Sequence, residues 1–181
     1  IYTSFPNLDL KFQLAESAAS EALLDADLGI RLLDHIDKGL DAELLVEEKI
    51  QAVCSPSYLD NYGPLTHKNA AHTFIHLNTP VYSWEQFLTD IGVEHHEHAK
   101  FITFSDYSLA VQAAKNGQGI ALGWNMVVAD GLQTGELVSA AARSPSTGRG
   151  YYILQATGVK LSPSARDLKH WLVREMKMES E

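Results

Sequence analysis

Hydrophobic and polar positions alternate or recur along most of the chain at the periods of strands and helices. From residue 8 to 14, Leu8, Leu10, Phe12 and Leu14 share one face while Asp9, Lys11 and Gln13 share the other, which predicts a half-buried strand. Ser17 then caps a short predicted helix over 18–24 with Ala19, Leu23 and Leu24 inward, and 28–32 reads as a buried strand. Strand, helix and strand in that order imply a parallel pairing. Further strands are expected at 44–53, 73–77, 100–104, 120–124 and 151–156. Trp84, Phe87, Leu88 and Ile91 have helical spacing and stop at Gly92. Ser105 is read as the cap of a helix over 106–116, with a shorter helix over 126–134. Loops are expected at 137–138 and in the polar, turn-rich stretch 143–150. Ser162-Pro163 opens a terminal amphipathic helix whose stripe is Ala165, Leu168, Trp171, Leu172 and Met176. Ser55-Pro56 similarly opens a short helix, and the whole reads as alternating α/β.

Composition narrows the class. The chain has 181 residues, 45% hydrophobic and 20% charged, with 12 Gly and 6 Pro, which excludes rods, collagen and disordered tails. No apolar run approaches the roughly 18 residues that span a bilayer, so no membrane association is expected. Lys and Arg number 14 against 23 Asp and Glu, a formal charge of −9, and a field of that sign repels phosphate. A single cysteine, Cys54, allows no intramolecular disulfide and suits a reducing, cytoplasmic compartment. The chain opens Ile1-Tyr2-Thr3-Ser4-Phe5-Pro6 without Met or signal peptide and reads as a fragment of something longer.

Several blocks then fall in an order that carries a resemblance. Phe5-Pro6 with Leu8 and Leu10 is followed by Asp25-Ala26-Asp27-Leu28-Gly29-Ile30-Arg31 and by Val53-Cys54-Ser55-Pro56-Ser57-Tyr58-Leu59. Gln112-Ala113-Ala114, Gly117, Gly119-Ile120-Ala121-Leu122-Gly123 and Gly135 with Leu137-Val138 come next. Tyr151-Tyr152-Ile153-Leu154 and Ser162-Pro163, Asp167-Leu168 and Trp171-Leu172 complete the series. The chain resembles the effector-binding domain of LysR-type transcriptional regulators, most closely the branch with the glycine-cleavage and β-lactamase regulators. No one block is specific; their order over nearly the whole chain is.

That resemblance implies two Rossmann-like lobes of the type 2 periplasmic-binding-protein kind, joined by two crossover strands near residues 52–55 and 151–155. Lobe one is then 1–54 with 154–181, lacking its first strand, and lobe two is 55–153. It also implies an effector held in the inter-lobe cleft, a homodimer or tetramer, and DNA contact only through an N-terminal helix-turn-helix absent from this chain.

In such folds ligands lie at the carboxyl ends of strands and near helix N-termini, where unpaired N–H groups favour anions. Ser17 and Ala18 open one such helix; Phe104, Ser105, Asp106 and Tyr107 open another. His76 and Asn78, ending the 73–77 strand, face the same expected mouth, and Trp124 ends the 120–124 strand. Asp106, Tyr107 and Trp124 suit a cationic or amino-acid-like effector, a quaternary ammonium among them, while the helix starts suit a carboxylate. Ser17 and Ser105 are equally ordinary caps, Asp106 a dipole partner, and Arg31 a partner for Asp25 or Asp27.

Catalytic signatures are missing: there is no Gly-x-Ser-x-Gly, Walker or His-Glu-x-x-His sequence, and Gly117-x-Gly119 lacks a third glycine. His95-His96-Glu97-His98 has no metal-ligand spacing and reads as a solvated loop, so neither metal nor cofactor is expected. An effector sensor is therefore the leading reading, a periplasmic solute-binding protein the alternative, and an α/β enzyme the least favoured.

Overall fold

Prolines, glycines and short polar side chains set where the elements of this chain begin and stop. The computed structural model describes residues 1, 3–12, 26–36, 41–66, 72–78, 82–94, 99–155 and 160–178. The expected helix at 18–24, with Ser17 and Ala18, and the histidine cluster at 95–98 lie outside the described residues. Two compact units emerge, 1–47 with 148–181 and 48–147. The chain passes between them inside two long strands, β2 (Asp41–Cys54) and β7 (Ser146–Gln155). Both boundaries fall upstream of residues 54 and 154, where the sequence places them.

In unit 1, β1 (Leu28–Leu33) pairs antiparallel with β7, Ile30 opposite Ile153. Where the sequence implies a parallel pairing for 28–32, the strand pairs antiparallel, with a partner from far along the chain. Residues 8–12 form irregular backbone instead of the expected strand, whose remaining residues 13–14 lie outside the described ones, and Phe12 is exposed. The terminal helix α5 (Pro163–Met178) starts where Ser162 Oγ accepts the Ala165 N–H at 3.1 Å. Its Val173 packs with Leu45 and Ile153, and Trp171 meets the edge of Phe5 at 5.9 Å.

Unit 2 is a layered α/β unit. Its elements are α1 (Pro56–Tyr62), β3 (Thr73–Leu77), α2 (Trp84–Ile91), β4 (Lys100–Phe104), α3 (Tyr107–Lys115), β5 (Ile120–Trp124), α4 (Asn125–Thr134) and β6 (Val138–Ser139). Ser55 caps α1 by accepting the Tyr58 N–H, with Pro56 at its start. Ser83 and Gln86 form a reciprocal capping box on α2, and Gly92 ends that helix at a left-handed φ of 74°. The cap of α3 is Asp106, whose carboxylate accepts the Leu109 N–H at 3.0 Å; Ser105, the expected cap, lies one residue outside. Both residue types cap well, so local sequence could not choose between them. Val138, in β6, and residues 146–150 are strand where loops were expected, since distant partners supply a ladder that their composition does not predict.

Strand order in this unit is β2-β5-β3-β4, with β6 on β2. β3 is parallel to both β4 and β5, whereas β5 runs antiparallel to β2. The chain moves outward from β3 to β4 through α2, then back past β3 to β5 through α3. Right-handed crossovers in opposite directions require helices on opposite faces, and the packing agrees. Phe74, Ile120 and Leu122 pack with α2, while Ile75 and Ala121 pack with α3 and α4. Gly119 immediately precedes β5, and a Cβ there would stand 2.5 Å from the Thr73 carbonyl oxygen, so no side chain fits.

Candidate functional site

A sheet laid out in this way has a switch point. The connection after β3 leaves toward one edge, and the connection after β5 leaves toward the other, so the two strands' carboxyl ends open a crevice between diverging chains. A shallow hollow, partly open to solvent, occupies that place. Ile75, His76 and Leu77 of β3 and Ala121, Leu122 and Trp124 of β5 line its floor. Its walls come from the helix openings: Tyr82 and Trp84 at α2, Tyr107 and Ala110 at α3. The whole hollow lies inside unit 2.

Hydrogen bonds hold the aromatic walls in place. The Tyr107 hydroxyl accepts the Trp124 backbone N–H at 2.9 Å, and the two rings meet edge to face at 4.6 Å and 79°. That pair joins the start of α3 to the end of β5 from opposite sides of the sheet. The Trp84 indole N–H donates to the Ile75 carbonyl at 2.8 Å, and its ring abuts Phe74 and Phe87. Tyr82 donates its hydroxyl to Asp90. Burial, and then that carboxylate, push the Tyr82 phenol well above its ordinary pKa, so it stays protonated and uncharged.

Of the residues named from sequence, the fold brings His76, Tyr107 and Trp124 to the hollow. Asn78, Phe104, Ser105 and Asp106 cluster beside it without lining it. The Asn78 N–H donates to the Phe104 carbonyl at 3.0 Å, extending the β3–β4 ladder, and Phe104 packs with the α3 side. Ser105 and Asp106 are exposed, and Asp106 serves as the helix cap. Tyr82 and Trp84 escaped the sequence reading because Trp84 fits the apolar stripe of its helix equally well. A visible signal was available: two aromatic residues straddle the Ser83 cap, where a helix start and a strand end meet.

Among the described residues no group of three or more His, Cys, Asp or Glu could hold a metal ion. No described helix is long and apolar enough to cross a membrane. Cys54, fully buried in β2, has its thiol pushed up to about 11 by burial, which leaves little thiolate for chemistry at neutral pH.

With this geometry in place, the family model for the LysR substrate binding domain matches residues 2–177. The chain belongs to that family. It is 28% identical over 138 residues to the glycine cleavage system transcriptional activator of Escherichia coli strain K12, a stretch covering 75% of this chain and 45% of that protein. The chain thus spans less than half the length of the curated relatives it matches. Its fold is similar to the AmpR effector binding domain from Citrobacter freundii, with a TM-score of 0.74, 17% identity, and coverage of 98% of this chain and 88% of that one. The effector domain of the transcriptional regulator AmpR of Pseudomonas aeruginosa gives 0.73 at 20% identity, covering 99% and 86%. Membership of the LysR substrate-binding family and the α/β class therefore stand as the ordered blocks implied, and the family is a regulator's domain, not a family of enzymes.

Proposed function

We propose that this LysR substrate-binding domain senses a small-molecule effector, and that the hollow at the carboxyl ends of β3 and β5, inside unit 2, contacts that effector. The observation that carries this reading is the position of the hollow, at a topological switch point with aromatic side chains from three helix openings around it. The two compact units are the two lobes of the sensor. Effector binding biases the conformational equilibrium of a homodimer or tetramer by as much as its affinity differs between states. DNA is held by a helix-turn-helix of the longer protein, since a formal charge of −9 makes this part a poor binder of phosphate. Such a regulator works in the cytoplasm beside its promoters. A free-standing solute-binding protein is less favoured, because the named relatives are transcriptional regulators.

A thermal-shift screen against amino acids, quaternary ammonium compounds, carboxylates and aromatic acids tests the reading. An effector at a hundredfold excess over its Kd stabilises the fold by about 2.7 kcal/mol, a midpoint rise of a few degrees. The effector so found is expected to shift backbone amide resonances at 75–77, 107–110 and 121–124. Saturable binding that leaves those amides unmoved overturns the assignment of the site.

A further inference from the structure

We infer that the hollow selects a compact alkylated ammonium group, seated on the ring surfaces of Trp124 and Tyr107. This rests on the proposal that the hollow is an effector site, and it narrows the effector's chemistry.

Four of the ten lining residues are aromatic, and neither lysine nor arginine is among them. A ligand carboxylate would therefore meet no fixed positive side chain on these walls. Apart from the imidazole of His76, the polar side-chain groups of the walls each make a hydrogen bond within the protein: Tyr82 donates to Asp90, Trp84 donates to Ile75, and Tyr107 accepts from Trp124. Beyond that imidazole, what the walls offer a guest is ring surface and aliphatic surface. A primary ammonium brings three strongly hydrated N–H donors and loses their water without replacement. A fully alkylated ammonium carries no N–H, is weakly hydrated, and is drawn to the negative face of an aromatic ring.

Charge separates that guest from a neutral apolar one of the same shape. Asp90 stands at the hydroxyl of Tyr82, and Asp106 immediately precedes Tyr107 with its carboxylate at the head of α3. A hydrogen bond to a carboxylate also pushes electron density into the Tyr82 ring. Opposing these are the starts of α2, α3 and α4, the last without a side-chain cap. Each helix end carries about half a unit charge, so three of them stand against two full carboxylates, a narrow balance on the side of a cation.

The test titrates the protein with choline, with its uncharged isostere 3,3-dimethyl-1-butanol, and with the anion 3,3-dimethylbutanoate, following tryptophan fluorescence and calorimetry. Choline is expected to saturate with an affinity at least about tenfold above the butanol, and the anion to be weakest. Trp124→Leu keeps apolar bulk without a π face, so it should cost choline about tenfold while leaving the butanol's affinity nearly unchanged. Trp171→Phe, in unit 1, should change neither. If the butanol or the anion binds as tightly as choline, and Trp124→Leu weakens it, the effector site stands and the ammonium inference falls. If none of the three saturates, the ammonium inference also falls. Should a screened effector then bind with no effect of Trp124→Leu or Tyr107→Ala, the site itself falls with it.

Discussion

The two faces of the unit 2 sheet are filled by different kinds of residue. On the α2 side, Phe74 meets Trp84 at 4.6 Å and Trp84 meets Phe87 at 5.6 Å, both edge to face, with Tyr58 and Ile120 completing an aromatic core. On the α3 side the core is Ala110, Ala113, Ala114 and Ala121, with the aliphatic Val53, Ile75, Val111, Val128 and Leu137. Large rings hold α2 off the sheet and interlock; small side chains let α3 settle onto it. The closeness on the second side is visible where the Ser55 N–H donates to the Ala114 carbonyl, at 3.0 Å, a strand end bonded directly to a helix end. The hollow opens where the regimes meet, because neither rings nor methyl groups fill the space around the half-buried Tyr107 and Trp124. The hollow is a packing mismatch bordered by hydrogen-bonded rings.

The difference between the faces can be broken most strongly on the aromatic one. Phe87 is fully buried, so Phe87→Ala should remove about 3–5 kcal/mol from unfolding stability in urea, and a loss below 1.5 would mean the ring layer collapses to fill the gap. The small-residue face should fail in the opposite sense. Ala114→Leu adds volume against β3 and β5 and should cost about 1–3 kcal/mol, whereas Phe87→Leu should be milder than Phe87→Ala. If Ala114→Leu proves neutral, the α3 side has slack that its close approach to Ser55 does not suggest.

At the meeting point, Tyr107→Phe deletes the acceptor of the Trp124 N–H while keeping the ring. A loss of about 1 kcal/mol is expected, with faster amide exchange at Trp124 as the specific sign. Unchanged exchange there would show that the two rings alone position the tryptophan.

Cys54 gives the smallest effect, absent at neutral pH. Its thiol in the folded protein is raised from 9.0 to about 11 by burial, so its contribution is fully present below the unfolded value and is lost as pH rises through that interval. The unfolded chain ionises first and is favoured. Cys54→Ala should flatten the fall in stability between pH 9 and 11, and a parallel decline in both proteins would place the alkaline sensitivity elsewhere.

Much of this was legible from sequence in unit 2, where elements are local. Ser55-Pro56, the run from Trp84 to Gly92 and the strand 120–124 announce themselves through caps, stops and period, and all three stand as read. Legibility fell wherever a partner is remote. Residues 146–150 look like loop until paired, and the stretch 8–12 alternates as a strand does yet forms none. For the site, His76, Tyr107 and Trp124 were named as strand ends and helix starts, and the hollow gathers them. Trp84 was missed because a ring in a helical stripe has the same spacing whether its edge touches core or cavity, and Tyr82 because it lies before the cap, outside any period.

The order of residues alone determined the family, the α/β class and, to within a residue or so, where the described helices of unit 2 begin and end. Those depend on backbone dihedral preferences, capping bonds and hydrophobic period, which act within a few residues. Only tertiary structure decided that β1 runs antiparallel to β7, that β3 lies between β4 and β5, and that aromatic rings from separate helix openings converge on one hollow. Such pairings join residues far apart in the chain, and their free energy comes from burial shared among segments, which no single segment specifies.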